Sequence, residues 1–125
     1  MYKVIIIEDD PMVASIKKQY VELTSSFHVE ATFKNGILAL QYLQNCTVDL
    51  IILDYYTPQM NGDEFIDQLH AAGMTPAIIM VTSANDAETV RRLISRGVTD
   101  YLVKPFEYDR FKAALERFAK RQEEL

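Results

Sequence analysis

Four consecutive apolar residues, Leu50 to Leu53, are followed directly by an aspartate, Asp54. A continuous apolar run of this length is typical of a strand whose two faces are both covered. Pro58 and the pair Asn61-Gly62 then indicate a sharp turn. The sequence therefore predicts a buried strand that delivers one carboxylate to its carboxyl end, where open α/β sheets bind ligands. The alternative is that Asp54 only caps a loop, and the ends of the other strands distinguish the two.

Strand-like and helix-like segments alternate along the remainder of the chain. Apolar runs and apolar–polar alternation predict strands over 2–7, 27–33, 50–53, 76–81 and 101–103. Helical spacing with start and stop signals predicts helices over 11–23, 37–43, 62 to the stop at 72–73, 87–96 and 107–121. In the first helix the apolar positions are Val13, Ile16, Tyr20 and Leu23. The alternation predicts one parallel sheet with helices on both faces.

Length and composition fit a single domain with one core, since the chain has 125 residues and 49% of them are hydrophobic. The net charge of −5 argues against a nucleic-acid-binding surface as the whole function. No apolar run reaches membrane-spanning length, and the single cysteine, Cys46, excludes an internal disulfide. We therefore expect a cytoplasmic protein that does not associate with membranes.

Polar side chains follow four of the five predicted strands. They are Glu8, Asp9 and Asp10 after the first, Asp54 after the third, Thr82 and Ser83 after the fourth, and Lys104 after the fifth. Clustered carboxylates repel one another unless a cation lies among them, and hard oxygen ligands in an open cluster suit Mg²⁺. One carboxylate can then attack phosphorus, while the metal, Lys104 and the Thr82 hydroxyl neutralise the charge of the phosphoryl group.

Four motifs carry these residues. They are Ile7-Glu8-Asp9-Asp10-Pro11, Leu53-Asp54-Tyr55-Tyr56-Thr57-Pro58, Val81-Thr82-Ser83-Ala84 and Tyr101-Leu102-Val103-Lys104-Pro105. In this order and spacing they resemble the receiver domain of two-component response regulators, over essentially the whole of 1–125. The resemblance implies a (βα)5 flavodoxin-like α/β fold, a doubly wound five-stranded parallel sheet with strand order 2-1-3-4-5. It also implies a signalling switch phosphorylated by a sensor histidine kinase, with no enzymatic activity beyond its own phosphorylation and dephosphorylation.

The resemblance assigns roles at the acidic end of the sheet. Asp54 is expected to be the phosphoacceptor. For Mg²⁺, Asp9 and Asp54 are expected as direct ligands, Glu8 as a ligand through water, and Tyr56 as a ligand through its backbone carbonyl. Asp10 fits a helix cap better than a metal ligand.

The resemblance also assigns a relay at the other strand ends. Thr82 corresponds to the switch hydroxyl, Tyr101 to the switch aromatic and Lys104 to the lysine that pairs with the phosphoryl group. Pro105 corresponds to a cis-proline position. A homodimer through the fourth helix, fifth strand and fifth helix is possible. The basic residues near that face form either a solvated surface or part of the dimer contact; they are Arg91, Arg92, Arg110, Lys112, Arg117, Lys120 and Arg121.

More narrowly, the segments EDDPMVA (8–14) and KPFEYDRF (104–111) resemble the citrate- and dicarboxylate-sensing transcriptional regulators. These carry a C-terminal helix-turn-helix domain, so we expect DNA binding only through such a domain outside this chain. Two alternatives stay open. One is a complete single-domain receiver that acts by protein–protein contact. The other is an aspartyl-phosphate phosphohydrolase, which is disfavoured because Tyr56 stands where such enzymes have a second aspartate.

Overall fold

The computed structural model describes residues 1–83 and 86–124. In this part of the chain strands and helices alternate as β1 (Tyr2–Ile7), α1 (Pro11–Leu23), β2 (Phe27–Phe33), α2 (Gly36–Leu43), β3 (Leu50–Asp54), α3 (Gly62–Ala71), β4 (Ala77–Thr82), α4 (Ala87–Ser95), β5 (Asp100–Val103) and α5 (Tyr108–Glu123). The strands form one parallel sheet in the order β2-β1-β3-β4-β5, which confirms the predicted fold. Among the described residues, no helix has both the length and the apolar character needed to cross a membrane.

β3 is the central strand of the sheet. It pairs with β1 on one side and with β4 on the other, and all of its residues are buried. A strand covered on both faces has no solvated side, which explains the uninterrupted apolar run from Leu50 to Leu53. The edge strand β2 has a more exposed face, and its sequence alternates accordingly.

Two hydrophobic clusters hold the helices against the two faces of the sheet. α1 and α5 cover one face with a cluster rich in aromatic residues, among them Tyr2, Tyr20, Phe27, Phe111 and Phe118. Several of these rings pack edge to face; the centroids of Tyr2 and Phe118, for example, lie 5.2 Å apart. α2, α3 and α4 cover the other face, where Phe65, Ile66, Leu69 and Leu93 are buried.

Side-chain caps fix the starts of the helices. The Asp10 carboxylate accepts hydrogen bonds from the backbone N–H groups of Met12 (2.9 Å) and Val13 (3.3 Å), which confirms Asp10 as the cap of α1. Asn61 and Glu64 form a reciprocal capping box at α3. The pair Asn85-Asp86 is a start signal for the helix predicted over 87–96; Asp86 caps α4, and Asn85 lies outside the described residues.

The predicted apolar face of α1 is wrong by one residue. The buried residues of the helix are Ala14, Lys17 and Val21, while Val13 and Tyr20 are half-buried. Ile16 is 40% exposed and Leu23 is 69% exposed. One residue corresponds to a rotation of about 100° around the helix axis. The helix is therefore rotated so that Lys17 faces the core, an orientation that hydrophobic spacing does not predict.

We expect Gly62→Ala to destabilise the fold, because a Cβ atom there would lie 2.8 Å from Tyr55 Cδ2 and 2.9 Å from Met80 Cε. Glycine to alanine in an open helix usually stabilises by about 0.5–1 kcal/mol. Overpacking at Gly62 should instead lower the free energy of unfolding by about 1–3 kcal/mol in urea titrations. The exposed Gln68 in the same helix is the matched control, and Gln68→Ala should stay within about 0.5 kcal/mol of wild type. A Gly62→Ala variant as stable as wild type would contradict this close packing.

Candidate functional site

Three carboxylates meet at the carboxyl edge of the sheet. One oxygen from each of Glu8, Asp9 and Asp54 lies within 4.8 Å of the others. β1 and β3 are neighbours in register, with Ile7 beside Leu53, so the residues that follow Ile7 stand next to Asp54. Glu8 and Asp54 are buried and Asp9 is exposed. The clustering expected from the strand ends is therefore present, and its donor set fits a hard cation such as Mg²⁺.

Asp54 is a buried carboxylate with a cation beside it. Its Oδ2 atom lies 2.8 Å from the Lys104 ammonium, and its Oδ1 atom accepts a hydrogen bond of 3.3 Å from the Tyr56 backbone N–H. Burial by itself raises the pKa of Asp54. The hydrogen bond from Lys104 and the positive charge of Lys17 outweigh burial, and the pKa stays below its ordinary value of 3.8. Asp54 is thus ionised at neutral pH, the state that a nucleophile needs.

Glu8 is fixed by two donors. The ammonium of the fully buried Lys17 lies 2.6 Å from Glu8 Oε1, and the Asp10 backbone N–H donates to Glu8 Oε2 over 3.1 Å. Burial raises the pKa of the Glu8 carboxyl above its ordinary value of 4.5, although the Lys17 ammonium opposes the rise. Sequence reasoning missed Lys17, since a lysine between apolar positions of a helix usually points to solvent.

The predicted relay residues lie on the neighbouring strands β4 and β5. Thr82 is fully buried at the end of β4, and its backbone carbonyl accepts a hydrogen bond of 2.9 Å from the Lys104 N–H. Tyr101 is half-buried beside Met80 and packs against the cluster under α2, α3 and α4. The Lys104–Pro105 peptide bond is cis, as the motif predicted. Tyr56, whose backbone N–H contacts Asp54, leaves its own side chain 61% exposed.

A second polar network, also missed from the sequence, adjoins the site. The hydroxyl of Tyr55 donates to Asp63 in α3, and Arg92 from α4 reaches both Asp63 (3.0 Å) and the Tyr55 hydroxyl (3.3 Å). Arg96 donates to Asp63 over 3.2 Å and also contacts Asp67. The residue that directly follows Asp54 and two arginines of the α4 region therefore converge on one carboxylate of α3.

Comparison with known proteins identifies the same family that the motifs indicate. A family model described as the response regulator receiver domain matches residues 4–116. The chain belongs to this family. The match covers all of the motifs from Glu8 to Lys104, and the expected family is confirmed.

The relatives of this receiver domain include regulators of the predicted narrower group. A probable C4-dicarboxylate response regulator, DctR of Priestia megaterium, is 39% identical over 94% of this chain and 51% of the relative. The transcriptional regulatory protein CitT of Halalkalibacterium halodurans is 37% identical over 98% of the chain and 54% of the relative. DcuR of Escherichia coli K12 is 38% identical over 92% and 49%. The chain thus spans about half the length of the curated relatives that it matches.

Solved structures agree with the fold. The response regulatory domain of mrkE from Klebsiella pneumoniae superposes with a TM-score of 0.87 at 24% identity, over 98% of this chain and 99% of that one. A receiver domain of the Francisella response regulator 1452 gives the same TM-score and identity over the same shares of the two chains. At this identity the likeness supports the receiver fold, and the chemistry has to be argued from the residues.

We expect Asp63→Asn to remove a pH-dependent part of the stability of this receiver domain. Burial by itself raises the pKa of Asp63, but Tyr55 and the two arginines outweigh it and hold the pKa below its ordinary value of 3.8. A carboxyl group that is more acidic in the folded state stabilises the fold above its unfolded pKa and loses that contribution as the pH falls through the folded pKa.

The substitution should therefore lower stability by about 1 kcal/mol at neutral pH, and its effect should shrink below about pH 4. Thermal melts of both proteins from neutral to acidic pH measure this difference. The exposed Glu116 in α5 offers the control, because Glu116→Gln should give a small difference that does not follow this pattern. A deficit of Asp63→Asn that stays constant down to pH 3 would contradict the assigned role.

Proposed function

We propose that this receiver domain is a phosphorylation-dependent signalling switch that accepts a phosphoryl group from a sensor histidine kinase on Asp54, with Mg²⁺ as cofactor. The observation that carries the proposal is the position of the buried Asp54 carboxylate, 2.8 Å from the Lys104 ammonium and clustered with two further carboxylates. Such a site provides a nucleophile and fixed charges of both signs at one point. Phosphoryl transfer needs little more from a protein than position and charge neutralisation.

The proposed transfer begins with a nucleophilic attack by Asp54. One carboxylate oxygen forms a bond to phosphorus while the P–N bond of a kinase phosphohistidine breaks, and the electrons of that bond remain on the imidazole nitrogen. The product is an acyl phosphate with a charge between about −1.5 and −2. Lys104, which already lies 2.8 Å from Oδ2, can then pair with a phosphoryl oxygen without a long displacement.

The residues that would hold Mg²⁺ are Asp9 and Asp54 directly, together with the backbone carbonyl of Tyr56, and Glu8 through a water molecule. Both oxygens of Glu8 already accept hydrogen bonds, one from Lys17 and one from the Asp10 N–H, which supports a water-mediated role for Glu8. When bound, the ion neutralises charge on the transferring phosphoryl group. The exposed Asp9 leaves the cluster accessible from solvent.

Phosphorylation by acetyl phosphate with Mg²⁺ should require Asp54, so Asp54→Asn should abolish the mass increase that wild type shows by intact-mass spectrometry. Asparagine keeps the shape of the side chain and removes the nucleophilic charge. Asp109→Asn, at an exposed aspartate of α5, is the control and should incorporate phosphate like wild type. Equal incorporation in Asp54→Asn and wild type would overturn the assignment of the phosphoacceptor.

We further propose that Thr82 and Tyr101 relay phosphorylation to the surface formed by α4, β5 and α5. Thr82 lies at the end of the strand next to β3, and Tyr101 is half-buried on the strand after it. A hydroxyl that moves to bond a phosphoryl oxygen vacates space into which the aromatic ring can turn. This surface would then form a homodimer contact in the phosphorylated state. Arg92 and Arg110 are engaged within the chain, by Asp63 and Asp100 respectively, so they enter that contact only after rearrangement.

In the presence of beryllofluoride and Mg²⁺, the amide NMR signals of Tyr101 and of α4 should shift in wild type and shift much less in Thr82→Ala. Signals next to Asp54, such as that of Tyr56, should respond in both proteins because the mimic binds in both. The exposed Thr47 provides a control substitution, Thr47→Ala, that should respond like wild type. Undiminished shifts of Tyr101 and α4 in Thr82→Ala would exclude Thr82 as the relay.

For the output we propose control of transcription. The relatives CitT and DcuR are named transcriptional regulatory proteins, and this chain matches about half of each. DNA binding would then belong to a helix-turn-helix domain outside these 125 residues. The acidic net charge of −5 agrees with a signalling role, and not a DNA-binding one, for the receiver itself.

A further inference from the structure

Lys17 is a fully buried lysine of α1, an unusual place for a charged side chain. It faces the sheet from the same side of α1 as Ala14 and Val21, at 0% exposure. Replacing a buried ion pair with packed apolar residues is often neutral or stabilising, so a buried lysine is weak evidence for a role in stability. Its ammonium lies 2.6 Å from Glu8 of the acidic cluster, which suggests a role at the proposed metal site.

The ammonium of Lys17 acts at the charged end of the sheet. It binds Glu8, whose side chain is 2% exposed, and Glu8 lies beside Asp9 and Asp54 in the acidic cluster. Counted as formal charges, the three carboxylates bring three negative charges, and Lys17 and Lys104 bring two positive ones. One net negative charge remains, where three carboxylates with Lys104 alone would leave two.

We propose that Lys17 acts on the Mg²⁺ site as a resident counter-cation: paired with Glu8, it offsets part of the negative charge of the cluster and so weakens Mg²⁺ binding. The proposal rests on the metal site put forward above. Because Lys17 and Mg²⁺ both offset the same carboxylates, each reduces the benefit of the other. Lys17 therefore keeps the carboxylates in place when no metal is bound. Mg²⁺ then needs a higher concentration to occupy the site than it would need at the same carboxylates without Lys17.

The test compares Mg²⁺ affinity in wild type, Lys17→Met, Glu8→Gln and the double variant. Amide NMR titration gives the Kd without any phosphorylation assay, and the Mg²⁺-dependent change in Tm gives a second reading. Lys17→Met should lower the Kd by about tenfold, since a unit charge close to a divalent ion has at least this effect even in a strongly screening medium. Glu8→Gln should raise the Kd. The double variant, which removes both members of the ion pair, should return the Kd to near the wild-type value.

Lys18 is the matched control, because it is the adjacent lysine of the same helix and is exposed. Lys18→Met should leave the Kd close to that of wild type. A purely structural role for Lys17 predicts the opposite sign for Lys17→Met, namely an unchanged or weaker affinity as the site loosens, and that result would overturn the proposal. If Lys17→Met fails to fold because Glu8 is left unpaired, the comparison of Glu8→Gln with the double variant decides: the double variant must bind Mg²⁺ more tightly.

The same measurements test the metal site and the role of Lys17 separately. If wild type and all variants show no response to Mg²⁺, the proposed metal site itself is wrong, and the role of Lys17 falls with it. If wild type binds Mg²⁺ with a Kd that Lys17→Met leaves unchanged, only the role of Lys17 is wrong. The role of Lys17 would also be rejected if Lys18→Met tightened Mg²⁺ binding as much as Lys17→Met does. The effect would then come from the net charge of the protein and not from the buried ion pair.

Discussion

The burial of carboxylates at the carboxyl edge of the sheet is the constraint on which this structure depends. An unpaired charge in a protein interior is expensive, and both Glu8 and Asp54 are almost completely removed from solvent. Each has an ammonium group beside it: Lys17 reaches Glu8 from α1, and Lys104 reaches Asp54 from the end of β5. In the described part of the chain, no buried side-chain nitrogen or oxygen atom lacks a hydrogen-bond partner. The same contacts that compensate the buried charges therefore also hold the residues of the proposed reactive centre in place.

The order of the strands turns this constraint into a site. β1 and β3 are adjacent, which brings the acidic residues after Ile7 beside Asp54, and β4 and β5 follow on the other side with Thr82 and Lys104. Parallel pairing places all of these strand ends at one edge. β2, at the far side of β1, contributes none of the proposed site residues. Sequence order and spatial order differ, so the site brings together residues that are distant in sequence; Asp54 and Lys104, for example, are in contact although they are 50 residues apart.

The parts of this arrangement that follow from local chemistry could be predicted from the sequence. β1 and β2 begin and end where their apolar patterns do, and Asp10 caps α1 as its position before a proline suggested. The resemblance supplied the roles of Asp54 and Lys104, and geometry consistent with them is present. Contacts in which a residue type lies where it is rarely found, such as a lysine in the core, could not be predicted. A buried Lys17 contradicts hydrophobic spacing and shifts the inner face of α1.

The arginine contacts were missed for a related reason. Arg92 and Arg96 meet Asp63 across two helices, and Arg110 meets Asp100 and the carbonyl of Tyr101. Arginines on an exposed helix face most often remain solvated, and no local pattern distinguishes those that find a partner distant in sequence. The packing of α4 beside α3 creates the pairs with Asp63, and the packing of α5 beside β5 creates the contacts of Arg110. Tertiary structure, not propensity, decides them.

The attachment of α4 differs in kind from that of the other helices. Of its nine residues, all described, Leu93 alone is buried, and Arg92 of α4, with Arg96 directly after the helix, forms ion pairs to α3. α1 and α5, in contrast, are joined through a cluster of aromatic rings. Salt screens partly exposed ion pairs and leaves apolar burial largely intact, so higher ionic strength should loosen the α4 side of this domain selectively. The helix to which the proposed relay would lead is thus the one whose hold on the core should depend on the salt concentration of its surroundings.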